Sequence, residues 1–187
     1  MKFPFVAVCL LMSMAWTTGR QLAPNAPISV TKDNVFKFYK DFKRLTKEPQ
    51  HVDPEMTDLC RPVYPPDFYE KSKFRSGPHY RALVHYHANS TATAALAKAL
   101  KILPEGSVLL KEKLIGNWDD ITKAPAVNGI GGMIKRAAGF DPEHGDWEYF
   151  YADKTTPFTM GKLKNCAECH GKAKDDDHLF RVRDLTE

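Results

Sequence analysis

Hydrophobic residues recur at helical spacing near the start of the chain and alternate with other residues farther along it. The helical spacing begins after Thr31, a good N-cap residue, and stops before Pro49. The apolar residues that share this spacing are Val35, Phe38, Tyr39, Phe42 and Leu45. This pattern predicts an N-terminal amphipathic helix that packs one face on the rest of the protein.

Four later segments have the pattern of β-strands. The first alternates over residues 80–87, and the others span 107–115, 129–138 and 147–151. A helix rich in alanine and leucine is predicted at 91–101. The short connections favour antiparallel pairing of consecutive strands. The predicted fold class is therefore α+β, with a mainly antiparallel β-sheet, an N-terminal helix and a C-terminal helix and loop.

The first twenty residues differ in composition from the rest of the chain. Lys2 is followed by an uncharged apolar run from Phe3 to Trp16, which is typical of a cleaved secretory signal peptide. This run is shorter than the roughly 20 residues of a membrane-spanning helix, which disfavours an uncleaved anchor. Lipidation at Cys9 is a weaker alternative, because Cys9 lies inside the run. We predict an exported, periplasmic protein.

Proline content and charge suggest how the remaining chain is organised. After the predicted signal peptide at 1–20, residues 21–78 combine the N-terminal helix with a proline-rich segment that should wrap the surface. Residues 79–187 contain the predicted sheet. The chain has 27 basic and 23 acidic residues, and they are interleaved. This balance does not indicate nucleic-acid binding, and it is compatible with an acidic protein partner.

Near the C-terminus, Cys166-Ala-Glu-Cys-His170 has the c-type haem attachment pattern. Each thiol, Cys166 and Cys169, can add to one vinyl group of the porphyrin, and the adjoining imidazole then binds the iron. His170 is therefore the predicted metal ligand. A CxxC dithiol or half of a zinc site is the alternative, but Cys9 and Cys60 provide no second ligand pair at similar spacing. Cys60 is interpreted as a small buried residue.

Several short segments occur in the order and approximate spacing of the cytochrome P-460 family, which is related to the cytochromes c′-beta. They are 104–112 (PEGSVLLKE), Ile134-Lys135, 145–151 (GDWEYFY), the haem motif and 177–180 (DHLF). The chain from about His79 to Arg183 resembles this family. The resemblance implies a mainly antiparallel β protein in the periplasm, with covalent haem c and five-coordinate iron on His170. It also implies an open iron face for hydroxylamine or nitric oxide.

The resemblance assigns a role to one lysine. In the family, a lysine of a Gly-x-Val-x-x-Lys-Glu strand forms a covalent bond to a meso carbon of the haem, and Lys111 corresponds to it. Strand parity leaves Lys113 open as an alternative, because both side chains lie on the same strand face. An amine held against the porphyrin edge and partly desolvated loses its proton more readily and becomes a nucleophile.

One position departs from the family pattern. Gly131 stands where hydroxylamine-oxidising members are expected to have a pocket carboxylate, the proton acceptor of that reaction. Glu148, His85 and His87 are the remaining candidates for a catalytic base. His85 and His87 share one strand face, so a proton relay, a second axial ligand and a solvated edge-strand pair are all open interpretations.

A six-coordinate electron carrier is the alternative function. Met133 or Met160 would then close the sixth iron position, although both are more typical of core residues. His144 and His178 are interpreted as surface residues. The expected partners are a small nitrogen ligand and a periplasmic redox protein, with a homodimer left open. A third interpretation is a haem-bearing module whose N-terminal segment docks on a larger redox complex.

Overall fold

The computed structural model describes residues 28–52, 83–115, 126–154 and 156–180. The predicted signal peptide, the proline-rich segment from residue 53 onward, Cys9 and Cys60 lie outside these ranges. Within the described ranges, no helix is long and apolar enough to cross a membrane.

One antiparallel sheet organises the part of the chain that the structure describes. Its strands are β1 (Lys43–Arg44), β2 (Gln50–His51), β3 (Leu83–Ala88), β4 (Val108–Ile115), β5 (Ala126–Lys135), β6 (Trp147–Asp153) and β7 (Thr159–Gly161). They lie in the order β1-β3-β4-β5-β6-β7, and β2 also pairs with β3. The four predicted strands correspond to β3 to β6, so the predicted antiparallel sheet is confirmed. The other three strands are too short to show a period in the sequence.

In the described ranges, two short α-helices flank the sheet. Helix α1 (Ser90–Ala97) follows β3, and the Asn89 side chain caps its N-terminus by accepting a backbone hydrogen bond at 2.9 Å. It ends earlier than predicted, because Ala99 has a positive φ of 50° that a helix cannot contain. Helix α2 (Lys164–His170) contains the CAECH segment and continues into a 3₁₀ helix at Gly171–Asp176.

The predicted N-terminal helix is not confirmed as a regular α-helix. Residues 32–41 form consecutive turns, in which hydrogen bonds to the third and to the fourth preceding residue are mixed. The Asn34 side chain accepts a bond from Thr31 N at 2.7 Å and donates one to Ser29 O at 3.0 Å, and these bonds fix the start of the segment. The apolar residues of this segment still pack on the sheet, as their spacing predicts.

The two faces of the sheet have different coverings. The face that packs against residues 28–42, called the N-terminal face, buries Val108, Leu110, Ile130, Ile134, Phe150 and Ala152. The opposite face, called the α2 face, packs against α1, α2 and the C-terminal segment, and it buries Ala88, Leu109, Met133, Trp147 and Tyr149. Because side chains alternate along a strand, neighbouring residues belong to different cores.

Candidate functional site

Helix α2 brings the cysteines and histidine of the CAECH motif to one face of the sheet. Ala167 is buried in the core of the α2 face and Cys169 is also buried, whereas Cys166 and His170 are partly exposed. Residues three apart on a helix lie on neighbouring positions of its surface, so Cys166 and Cys169 are side by side. The motif therefore presents two sulfur atoms and an imidazole from one helix that packs on β6.

The His170 imidazole is held in one tautomer. Its Nδ1 donates a hydrogen bond to the backbone oxygen of His178 at 2.7 Å, because a carbonyl oxygen can only accept. Burial, together with the positive charge of Lys111, lowers the pKa of His170 to about 4. The ring is flanked by Tyr149 and Phe180, whose ring centroids lie 5.2 Å and 5.3 Å away. At neutral pH the imidazole is uncharged, and its unprotonated Nε2 can bind a metal.

The carbonyl that fixes His170 belongs to a turn with rare backbone angles. Asp177 and His178 have φ values of 52° and 63°, which few non-glycine residues adopt. The buried His178 ring packs so closely on Gly145 that a Cβ at position 145 would lie 2.6 Å from the His178 Cδ2. The prediction that His178 is a surface residue is therefore wrong, whereas His144 is partly exposed. The spacing of apolar residues in the sequence does not indicate a turn with positive φ angles.

A buried ion pair anchors this turn to the sheet. Lys135 Nζ donates to Asp177 Oδ1 at 2.5 Å, and the two side chains are 9% and 4% exposed. The other carboxylate oxygen of Asp177 accepts a bond from Leu103 N at 2.8 Å. The backbone oxygen of Asp177 accepts one from Trp147 Nε1 at 2.9 Å. The turn is thus attached to β5, to β6 and to the loop before β4.

Lys111 lies on the α2 face close to the motif. Its charge affects the pKa of both Cys166 and His170. Burial lowers the pKa of Lys111 to about 8, so a large fraction of its amine is unprotonated in mildly alkaline solution. Lys113 shares the strand face, but its charged neighbour is Asp153. Of the two candidate lysines, the structure brings Lys111 to the motif.

The two motif cysteines differ in their redox state. Cys166 is a free thiol, and burial raises its pKa against the opposing effect of Lys111. The sulfur of Cys169 is part of a disulfide bond. A thioether at Cys169 therefore requires that this disulfide be reduced before attachment.

The Tyr149 hydroxyl is buried beside the motif and has no hydrogen-bond partner in the structure. Burial raises the pKa of Tyr149, and the next contribution comes from Cys166, which places the phenol near the motif sulfur. An unsatisfied buried hydroxyl costs about 1–3 kcal/mol. Such a cost is expected where a bound group completes the site.

His85 and His87 lie on the N-terminal face, away from the motif. They are 9% and 8% exposed, and β3 is paired on both sides, so the interpretation as a solvated edge-strand pair is wrong. His85 Nδ1 lies 3.0 Å from Thr46 Oγ1. The Glu112 carboxylate lies 3.0 Å from His87 Nε2 and accepts a bond from the Tyr39 hydroxyl. Burial tends to raise the pKa of Glu112, but these two hydrogen bonds lower it below its ordinary value.

Glu148 also faces away from the motif, whereas Gly131 lies on the motif side. Glu148 accepts a bond from Arg136 Nε at 2.6 Å on the N-terminal face. Gly131 pairs with Lys111 on one side and with Tyr151 on the other, which puts position 131 on the α2 face. Gly131, the position that departs from the family pattern, therefore lies next to Lys111. The structure brings none of the candidate bases Glu148, His85 and His87 to this position.

Both methionines that were considered as iron ligands have packing roles. Met133 is buried in the core of the α2 face, and Met160 packs against the core of the N-terminal face. The packing contacts of β6 also show to which face of the sheet its aromatic side chains point. Trp147 and Tyr149 point to the α2 face, and Phe150 points to the N-terminal face.

These features occur in a region that a known family shares. A family model described as cytochrome P460 matches residues 65–181, which is more than half of the chain and includes β3 to α2. The chain belongs to the cytochrome P460 family. No curated protein matches the sequence. Membership of the cytochrome P460 family implies a haem cofactor, in agreement with the attachment motif.

The residues on the α2 face fit the haem of a cytochrome P460. They provide a neutral imidazole with an unprotonated Nε2, the free Cys166 thiol, the Cys169 sulfur once its disulfide is reduced, and the unpartnered Tyr149 hydroxyl. The zinc alternative has no such support. In the part of the chain that the structure describes, no group of three or more His, Cys, Asp and Glu residues could hold a metal ion.

Sequence reasoning missed the supports of the imidazole, which are Lys135, the His178 carbonyl and Tyr149. All three lie in segments that carry the family resemblance, but the segments alone gave them no role. A usable signal was present at Lys135, a charged residue at the end of the apolar strand β5. A lysine at an inward strand position needs a buried partner, and Asp177 provides it.

Proposed function

We propose that this member of the cytochrome P460 family is an exported, periplasmic c-type haem protein that binds nitric oxide or hydroxylamine. His170 binds the iron, and Cys166 and Cys169 form the thioether links. The iron face opposite His170 stays open to the small nitrogen ligand. The haem itself supplies reversible ligand binding and one-electron chemistry.

The state of His170 is the observation that supports this proposal most strongly. An iron ligand must present a neutral nitrogen, and here the bond from Nδ1 to the His178 carbonyl leaves Nε2 unprotonated. The low pKa of His170, about 4, keeps the ring neutral throughout the physiological range.

Ligand binding is better supported than hydroxylamine oxidation, because the oxidation needs a proton acceptor near the ligand. Position 131 has no side chain, and Glu148, His85 and His87 face the other side of the sheet. Asp153, the last residue of β6, provides a carboxylate on the α2 face. Its two oxygens already accept hydrogen bonds from Tyr151 and Thr156.

Carbon monoxide binding tests whether the iron site is open. We expect ferrous protein to bind carbon monoxide and nitric oxide promptly, with one ligand per haem, because His170 is the single protein ligand in this proposal. The measurement is stopped-flow absorption of the dithionite-reduced protein. Slow, weak binding limited by the loss of a second protein ligand would instead support a six-coordinate electron carrier.

We also propose that Lys111 forms the covalent bond to the haem that the family resemblance implies. Its amine is close to Cys166, and burial lowers its pKa to about 8, which makes it a better nucleophile than a solvated lysine. Lys113 is on the same strand face but has Asp153 as its charged neighbour. The structure thus favours Lys111 where strand parity left both residues open.

Replacing Lys111 with methionine is expected to remove this extra bond. The wild-type protein should show a strongly red-shifted Soret band after reduction, and the K111M protein should show an ordinary c-type spectrum. Intact mass after Cys166 and Cys169 are substituted should retain the haem only when Lys111 is present. The K113M variant is the matched control, and a loss of the red shift in K113M instead of K111M would assign the bond to Lys113.

The remaining expectations concern location and organisation, and they stay proposals. The signal peptide at 1–20 would direct export, and residues 79–187 would form the haem domain, with 21–78 covering it. The family match already begins at residue 65, before the proposed boundary at 79. An acidic periplasmic redox protein and a second copy of the chain are the proposed protein partners.

A further inference from the structure

The turn at Asp177 and His178 keeps a conformation that its residues do not favour. Positive φ angles in non-glycine residues persist where the surrounding structure imposes them, and they concentrate at functional sites. Here two consecutive residues have such angles, 52° and 63°. The turn aims the carbonyl of His178 at His170 Nδ1, at a distance of 2.7 Å. The strained backbone and the imidazole are therefore parts of one arrangement.

The supports of this turn converge on Asp177. Its carboxylate accepts bonds from Lys135 Nζ at 2.5 Å and from Leu103 N at 2.8 Å. Its backbone oxygen accepts a bond from Trp147 Nε1 at 2.9 Å. Lys135 Nζ also lies 4.8 Å from the centroid of the Trp147 ring, which adds a cation–π contact. Asp177, the residue before the one whose carbonyl contacts His170, is thus held by Lys135, Leu103 and Trp147.

We propose that Lys135 and Asp177 are positioning residues that set the strength of the bond between His170 and the haem iron. This inference rests on the proposed role of His170 as the iron ligand. Lys135 and Asp177 do not touch the imidazole; they act through the backbone, by holding the His178 carbonyl in place. This buried ion pair then orients the iron ligand His170, in addition to anchoring the turn to the sheet.

The hydrogen bond from Nδ1 controls how much electron density Nε2 donates. A short bond to a carbonyl gives the imidazole partial anionic character, which strengthens the iron–nitrogen bond and favours ferric iron. When the turn relaxes, the carbonyl moves away and the imidazole becomes a weaker donor. Losing an outer support of a metal ligand typically reduces metal affinity 10- to 100-fold.

The K135M variant of the haem-loaded protein tests the proposal. We expect the iron–histidine stretching band in the resonance Raman spectrum of ferrous protein to move to lower frequency. We also expect the midpoint potential to rise, because ferric iron loses more stabilisation than ferrous iron. A tenfold difference between the two oxidation states corresponds to about 59 mV.

The R136M variant is the matched control. Arg136 is the next residue along the chain, and it forms an ion pair with Glu148 on the opposite face of the sheet. Its loss should leave both the Raman band and the potential unchanged. If K135M leaves both unchanged, or if R136M shifts them equally, Lys135 does not position the imidazole.

The D177N variant gives a second test that does not depend on the folding of K135M. Its amide oxygen can still accept the bond from Leu103 N, but it has no charge to hold Lys135. We expect the same direction of change as in K135M, and an unchanged band and potential would overturn the proposal.

The H170A variant separates this inference from the proposed function. If the iron–histidine band is absent in the wild type, or if it survives in H170A, the ligand assignment itself fails. If the band is present, is lost in H170A and is insensitive to K135M and D177N, the positioning inference alone fails.

Discussion

Replacing His170 with alanine is expected to abolish the iron–histidine bond while the haem stays attached to the protein. The proposed thioether links at Cys166 and Cys169 would hold the porphyrin independently of the axial ligand, so the haem mass should be unchanged. The resonance Raman band of the iron–histidine stretch should disappear completely, and the Soret band of the reduced protein should move. We expect none of His85, His87 and His178 to replace His170 directly, because His85 and His87 lie on the other face of the sheet and the His178 ring packs on Gly145.

Chemical rescue makes this experiment specific to the ligand. The H170G variant leaves a space next to the rings of Tyr149 and Phe180, which flank the native imidazole. Free imidazole added at millimolar concentration should restore an iron–nitrogen band in H170G. The H144A variant is the control, because His144 Nδ1 lies 3.1 Å from Asp141 Oδ2 and His144 has no proposed role in iron binding. A reduced spectrum that is identical in wild type and H170A would refute the assignment.

Replacing Asp177 with leucine is expected to lower the free energy of unfolding by about 3–5 kcal/mol. Lys135 would keep a buried charge without its carboxylate partner, since both side chains are almost fully buried. Leu103 N would also lose its acceptor, which adds to the cost. A typical domain has a total stability of about 5–15 kcal/mol, so this single change should bring the protein close to unfolding at ambient temperature. Urea denaturation followed by circular dichroism measures the effect.

Two further variants identify the cause of this loss. The double variant K135M/D177L replaces both charges with apolar side chains, and we expect it to recover most of the lost stability. The E148L variant breaks the more exposed Arg136–Glu148 pair on the opposite face and should cost only about 1 kcal/mol. If D177L costs no more than E148L, the Lys135–Asp177 pair is not the buried anchor that its geometry indicates.

The central strands were predictable because alternation along a strand is a local property. The segments 107–115 and 147–151 correspond closely to β4 and β6, and the third predicted strand was displaced by a few residues. The N-terminal segment shows the limit of the same reasoning. Its apolar spacing correctly predicted which residues face the core, but its backbone hydrogen bonds alternate between the third and the fourth preceding residue, a choice that apolar spacing does not specify.

The candidate bases show why a strand pattern alone does not define a site. Parity correctly grouped His85 with His87, and it grouped Lys111 with Lys113. It could not tell which of these sets faces helix α2, because that depends on how the C-terminal segment folds back on the sheet. The tertiary structure puts the lysines on the α2 face and both histidines on the N-terminal face.

The sequence by itself determined which chemistry we propose for the site. The spacing of Cys166, Cys169 and His170 specifies a haem attachment motif, because thioether and imidazole chemistry act within five consecutive residues. Only the tertiary structure decided how His170 is held. Its hydrogen-bond acceptor is the His178 carbonyl, and the support of that carbonyl comes from Lys135, which is 42 residues from Asp177 in the chain. Contacts over such separations arise from the packing of β5 and β6 against the C-terminal turn, and no local pattern encodes them.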